Sequence, residues 1–78
     1  MNRTTYPVSA PEFDRYMQIA LDENSERNMR LAAEALISAI LNGVTEIGVE
    51  AVEILLEENE TRAAETVAAI VGGQSYRN

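Results

Sequence analysis

Five glutamates are the residues of this chain whose type and spacing best fit a binding surface. At about 100° per residue, a helix from Val44 to Glu60 would place them on one narrow stripe, opposite a broad aliphatic arc. The stripe contains no lysine or arginine. It is either an ordinary solvated helix face or a surface for a basic partner. We call it the acid stripe, and its members are Glu46, Glu50, Glu53, Glu57 and Glu60.

The chain lacks the side chains that most catalysis requires. Its 78 residues include no histidine, no cysteine and no lysine, so its serines have no base to activate them. A straight acid stripe fans its carboxylates outward, whereas calcium needs a curved loop. The Glu-x-x-His pattern of di-iron bundles is also absent. We therefore expect no enzymatic activity, no metal site and no cofactor.

Composition and charge narrow the possible partners and compartment. Thirteen acids against six arginines give a net charge of −7, which disfavours direct binding to a phosphate backbone. No apolar run approaches the roughly 20 residues that cross a bilayer, and no signal-peptide pattern is present. The absence of cysteine fits a reducing compartment. These features predict a cytoplasmic protein that binds neither nucleic acid nor membranes.

The first two helices are predicted from caps and apolar spacing. Ser9-Ala-Pro-Glu12 matches a capping box, with Ser9 as the N-cap of a helix over residues 10–22. A second helix follows over residues 25–42 and ends at Asn42-Gly43, a pair that suits a helix C-terminus.

We place a break between these helices near Asn24–Ser25. The apolar faces before and after it point in nearly opposite directions, so one continuous helix would expose one of them. The pairs Glu23–Arg27 and Glu26–Arg30 favour continuity, but each contributes only a few tenths of a kcal/mol. Burying one large aliphatic side chain contributes about 1.5–3 kcal/mol, so the break is favoured.

The second half of the chain predicts helices over residues 46–58 and 61–71. Gly48 is unfavourable in a helix interior, and it indicates either a loose first turn or the close approach of another helix. Residues 45–51 also alternate in polarity, so a short strand is the alternative for that segment.

These elements predict an all-α single domain, a small bundle of about four short helices arranged as two αα-hairpins. Residues 1–9 form an extended arm, residues 10–72 the helical core and residues 73–78 a flexible tail. The arm is either disordered or docked through Tyr6 and Val8, on the chain's own core or on a second subunit. The side chains expected to be most buried are Leu36, Ile37, Ile40, Ile47, Ile54, Leu55 and Val67.

In length, acidity and predicted helix number, the chain resembles acyl carrier proteins. Those proteins carry an Asp-Ser-Leu motif at a helix start, where the phosphopantetheine arm is attached. The segment of this chain most similar to that motif is Asn24-Ser25-Glu26, which does not match it. The resemblance therefore implies no carrier function for this chain.

Two functional hypotheses follow. In the first, the chain is a small acidic interaction module or regulator that binds another protein, one with a basic surface, and forms a homodimer. The predicted partner-binding residues are the acid stripe together with Tyr6 and Val8. In the second, it is an acidic nucleic-acid mimic, of the phage or mobile-element type, that occupies a basic groove on a host defence or regulatory protein. Self-association is expected because five aliphatic residues lie beside or off the main helix faces: Ile19, Leu31, Val49, Val52 and Leu56.

Overall fold

Four helices and one small sheet make up the fold in the computed structural model, which describes residues 4–72. The helices are α1 (Pro11–Ala20), α2 (Arg27–Leu41), α3 (Val49–Leu56) and α4 (Glu60–Val71). The predicted mostly α-helical bundle with an N-terminal arm is confirmed. The predicted tail and the first three residues of the arm lie outside the described residues.

The start of α1 differs from the predicted capping box. Ala10, not Ser9, occupies the N-cap position, and no side chain caps the helix. The amide of Ala10 donates a hydrogen bond to the Pro7 carbonyl (2.9 Å), and this turn draws Ala10 into the core. The helix therefore begins one residue later than predicted, and Glu12 is too early in it to complete the box.

The predicted break between the first two helices is confirmed. Residues 21–26 form a turn in which the Ser25 amide donates to the Asp22 carbonyl (3.0 Å) and the Asn24 amide to an Asp22 carboxylate oxygen (2.8 Å). The Ser25 hydroxyl also donates to the Ile19 carbonyl. These bonds satisfy the backbone where the chain changes direction.

The helix predicted over residues 46–58 is wrong at its start, and the alternative of a short strand is correct there. The arm supplies β1 (Thr5–Pro7), which pairs antiparallel with β2 (Glu46–Gly48), with Tyr6 opposite Ile47. Pro7 falls between hydrogen-bonded positions of the ladder, so its missing amide hydrogen breaks no bond. Gly48 is the N-cap of α3. No atom would lie within 4 Å of an added Cβ, so close approach of another helix does not explain this glycine.

The core lies where α2 and α4 pack on each other, with α1 and α3 beside them and Ile47 contributed by the sheet. Leu36, Ile47, Leu55 and Val67 are buried, as predicted. Ile40 and Ile54 are only half-buried, and Ile37 is exposed, so the prediction for these three is wrong. The buried face of α2 is narrow and filled largely by alanine, and Ile37 lies about 100° around the helix from Leu36.

Tyr16 is a polar residue that the core encloses almost completely. Its side chain is 1% exposed, and its hydroxyl has no hydrogen-bond partner among residues 4–72. Burial raises the pKa of Tyr16 above its ordinary value because desolvation disfavours the phenolate.

A high-pH stability loss is expected from Tyr16. The phenol ionises near pH 10 in the unfolded chain and later in the folded one. Its contribution to stability is therefore constant below about pH 10 and falls as the pH rises above that, by up to about 1.4 kcal/mol per pH unit. Tyr16→Phe should lessen this fall, and at neutral pH it should leave stability equal or higher because an unpartnered hydroxyl is removed.

Urea unfolding between pH 8 and pH 11 measures the effect of Tyr16→Phe. A Tyr16→Phe profile identical to that of the wild type would show that the Tyr16 phenol is not desolvated in the folded protein.

Candidate functional site

The acid stripe does not form one straight helical face. Glu46 lies in β2, Glu50 and Glu53 lie on α3, Glu57 follows the last residue of α3, and Glu60 begins α4. The chain turns at Glu58, which has a φ of 59°, in the left-handed region. The predicted continuous stripe is therefore wrong, although the role of its members in partner binding stays a prediction.

Two glutamates of the acid stripe have partners that the sequence did not indicate. Glu57 forms an ion pair with Arg62 (2.9 Å), which reaches back from the first turn of α4. It is the one ion pair among the described residues. Glu46 accepts a hydrogen bond from the Thr5 hydroxyl across the two-stranded sheet. The ion pair with Arg62 thus offsets the charge of Glu57, whereas the hydrogen bond from Thr5 leaves the charge of Glu46 in place.

Tyr6 and Val8 dock on the chain's own core. Both side chains are half-buried and pack against the core cluster. The Val8 amide donates to the Thr45 carbonyl (2.9 Å), and the Val49 amide donates to the Thr4 carbonyl (3.0 Å). Of the predicted alternatives for the arm, docking on the chain's own core is the one observed. A role for these two residues in partner binding stays a prediction.

A groove on one side of α4 combines apolar residues with two carboxylates. This α3–α4 groove has a volume of about 710 Å³, and Glu50 and Glu65 lie along it. Thr4 and Gly48, at the docked arm and the end of β2, complete its wall. Glu65 had no part in the sequence-based site, because the acid stripe was drawn on a helix ending at Glu60 and Glu65 lies beyond it. The remaining residues that line the α3–α4 groove are Val49, Ala51, Ile54, Thr66 and Ala69.

A second groove lies between α2 and α4 and is almost entirely apolar. This α2–α4 groove has a volume of about 500 Å³, and Asn28 supplies the one polar side chain among its described lining residues. Two of its residues are exposed aliphatics, Leu31 at 47% and Val71 at 52%. Small residues form most of its surface. Beside these three residues its lining consists of Ala32, Ala35, Ala64, Val67, Ala68 and Gly72.

Most of the aliphatics expected to drive self-association are not at the surface. Val52 is buried, and Ile19 and Leu56 pack partly buried against the core. Val49 is half-buried in the α3–α4 groove. Leu31 alone of the five is exposed. Three of the other four lie on α3, which contacts α1, α4 and both strands and is therefore covered on more sides than a single apolar stripe implies. Val71 of α4 lines the same α2–α4 groove as Leu31.

Residues 4–72 contain neither a metal-ligating cluster nor a membrane-spanning helix. No group of three or more acidic, histidine or cysteine side chains is arranged to hold a metal ion in that range. No helix there combines the length and the apolar character that crossing a bilayer requires.

Comparison with known proteins yields no relative. No protein-family model matches the chain, no curated protein matches its sequence, and no solved structure matches its fold.

Proposed function

We propose that this chain is a non-catalytic protein–protein interaction module that forms a twofold homodimer through the α2–α4 groove. The supporting observation is the groove itself, in which exposed Leu31 and Val71 stand beside a surface of small side chains. Protruding aliphatics next to a shallow apolar groove are the features that a self-complementary surface needs.

A twofold dimer requires protruding aliphatic side chains and the groove that receives them to lie on the same surface of one subunit. In a dimer of this symmetry, Leu31 of one subunit enters the groove of the other and the contact is reciprocated. Among residues 4–72, no charged side chain lines this groove, so two chains of net charge −7 would meet at a surface that carries no carboxylates from that range. The burial of exposed aliphatics would also add to the core of a domain that is near the lower size limit for independent folding.

Sedimentation velocity at about 100 μM protein, at low and high salt, tests the dimer. We expect dimers that become more abundant as salt rises, because salt screens the repulsion between two acidic subunits. Leu31→Asp should give monomers, since it places an unpaired charge in the apolar interface.

Leu41→Asp is the matched control for this experiment. Leu41 is on the same helix and 82% exposed, but it does not line the groove, so this variant should remain dimeric. A wild-type chain that is monomeric at both salt concentrations would refute the dimer. Equal loss of association in both variants would place the interface elsewhere.

A further inference from the structure

The α3–α4 groove differs in chemistry from the groove assigned to self-association. Its surface includes Ile54, Ala51 and Ala69, which can receive an aliphatic side chain, and two carboxylates lie along it. Its wall depends on the docked arm, because the hydrogen bond from the Val49 amide to the Thr4 carbonyl holds Thr4 beside α3. The groove is thus assembled from three parts of the chain that are distant in sequence.

Among residues 4–72, no cation balances the carboxylates of this groove. No arginine of that range lines the groove, and neither Glu50 nor Glu65 forms an ion pair or a hydrogen bond with a side chain in it. Glu50 has a local role, since an acid in the first turn of α3 favourably opposes the helix dipole. Glu65 lies inside α4, where this role does not apply. The groove therefore presents uncompensated negative charge next to apolar surface.

We propose that the α3–α4 groove binds a short basic segment of another protein, one that carries an aliphatic residue between or beside arginines or lysines. The aliphatic side chain packs on Ile54 and Ala69, and the cationic side chains bind Glu50 and Glu65. Charge-assisted hydrogen bonds give such contacts orientation, while apolar burial gives them affinity. This partner is additional to the dimer, and its binding does not depend on self-association.

Other occupants fit this groove less well. A second copy of the chain would bring like charges together at Glu50 and Glu65, and nucleic acid would meet the same repulsion. Two carboxylates on separate helices also supply too few ligands for a calcium ion, which takes six to eight oxygens. A basic peptide that carries an aliphatic residue matches both the apolar surface and the two carboxylates of the groove.

Selection from a random twelve-residue peptide library on the immobilised full-length chain tests the proposal, with affinities of the enriched peptides then measured in solution. We expect enriched peptides to combine an aliphatic residue with nearby arginine or lysine. The double variant E50Q/E65Q should bind them at least tenfold more weakly, and so should Ala69→Leu, which fills the groove without changing charge.

The double variant E23Q/E34Q is the matched control, because it removes the same number of charges from exposed positions that line neither groove and lie outside the acid stripe. It should bind within twofold of the wild type, and circular dichroism should show all variants folded. Failure to enrich basic peptides would overturn the proposal. Equal weakening by both double variants would also overturn it, because binding would then depend on overall charge.

The outcome is separable from that of the dimer experiment. A chain that forms dimers but selects no basic peptide keeps the proposed self-association and loses this inference. A monomeric chain that selects basic peptides refutes the proposed self-association and supports this inference.

Discussion

Leu55→Ala is expected to lower the free energy of unfolding by about 2–5 kcal/mol, which is most or all of the stability of so small a domain. Leu55 is buried within the core cluster. Removing its side chain loses the transfer energy of the deleted carbons and leaves a cavity that surrounding helices only partly fill. Urea unfolding followed by circular dichroism should therefore show a partly or wholly unfolded variant at room temperature.

Leu41→Ala is the control for this substitution. It makes the same chemical change at a side chain that is 82% exposed, so its stability should lie within about 0.5 kcal/mol of the wild type. An unchanged melting temperature for Leu55→Ala would show that Leu55 does not pack in the core described here. Equal destabilisation by both substitutions would show that the loss is unrelated to burial.

Tyr6→Ala is expected to lower the free energy of unfolding by about 2 kcal/mol, roughly half the cost of removing a fully buried aromatic ring. Tyr6 is half-buried against the core and lies opposite Ile47 in the two-stranded sheet. Losing the ring removes one of the two arm side chains that pack against the core. Thr4→Ala is the control, because Thr4 is exposed and its hydrogen bond to Val49 uses the backbone carbonyl.

The concentration dependence of this effect distinguishes the two docking modes of the arm. An arm on the chain's own core gives a Tyr6→Ala effect that does not vary with protein concentration. An arm exchanged between subunits would make the contribution of Tyr6 grow with concentration, because association and folding would then be linked. Urea unfolding at about 5 and 100 μM protein separates these outcomes, and growth of the effect would contradict the docking seen here.

The two proposed binding surfaces involve different faces of α4. Val71 and Ala64 line the α2–α4 groove, whereas Glu65 and Ala69 line the α3–α4 groove. Dimer formation through the first therefore leaves the second open to a basic partner. If both proposals hold, the chain brings two copies of its acidic groove together, and a partner with two basic segments would bind with increased avidity.

Local sequence determined the helices and the breaks between them. The opposed apolar faces required a turn near Asn24, and the turn was found at residues 21–26. Asn42-Gly43 marked the end of α2, and Gly43 adopts a φ of 111° that other residues rarely reach. Leu36 and Leu55 were identified as core residues because helical periodicity is a property of neighbouring residues.

The strand at Glu46–Gly48 was ambiguous from local sequence. Its three residues fit both an alternating pattern and the first turn of a helix. The strand forms because it pairs with β1, which lies far from it in sequence, at Thr5–Pro7. Pairing with the arm supplies hydrogen-bond partners to the backbone of this segment. Because the segment is a strand, α3 is shorter than predicted, and the acid stripe is divided between elements. Strand pairing is non-local, so sequence spacing carries little information about it.

The sequence by itself thus determined the helical class, the acidic character and the shortage of catalytic side chains. Only the tertiary structure decided which aliphatics are exposed, because Val52 and Leu31 differ in the helices that cover them and not in their own chemistry. It also decided that Glu65 joins Glu50 in one groove while Glu57 is paired with Arg62. Each of these outcomes depends on the packing of α4 against its neighbours, and helical periodicity specifies a buried face without specifying what covers it.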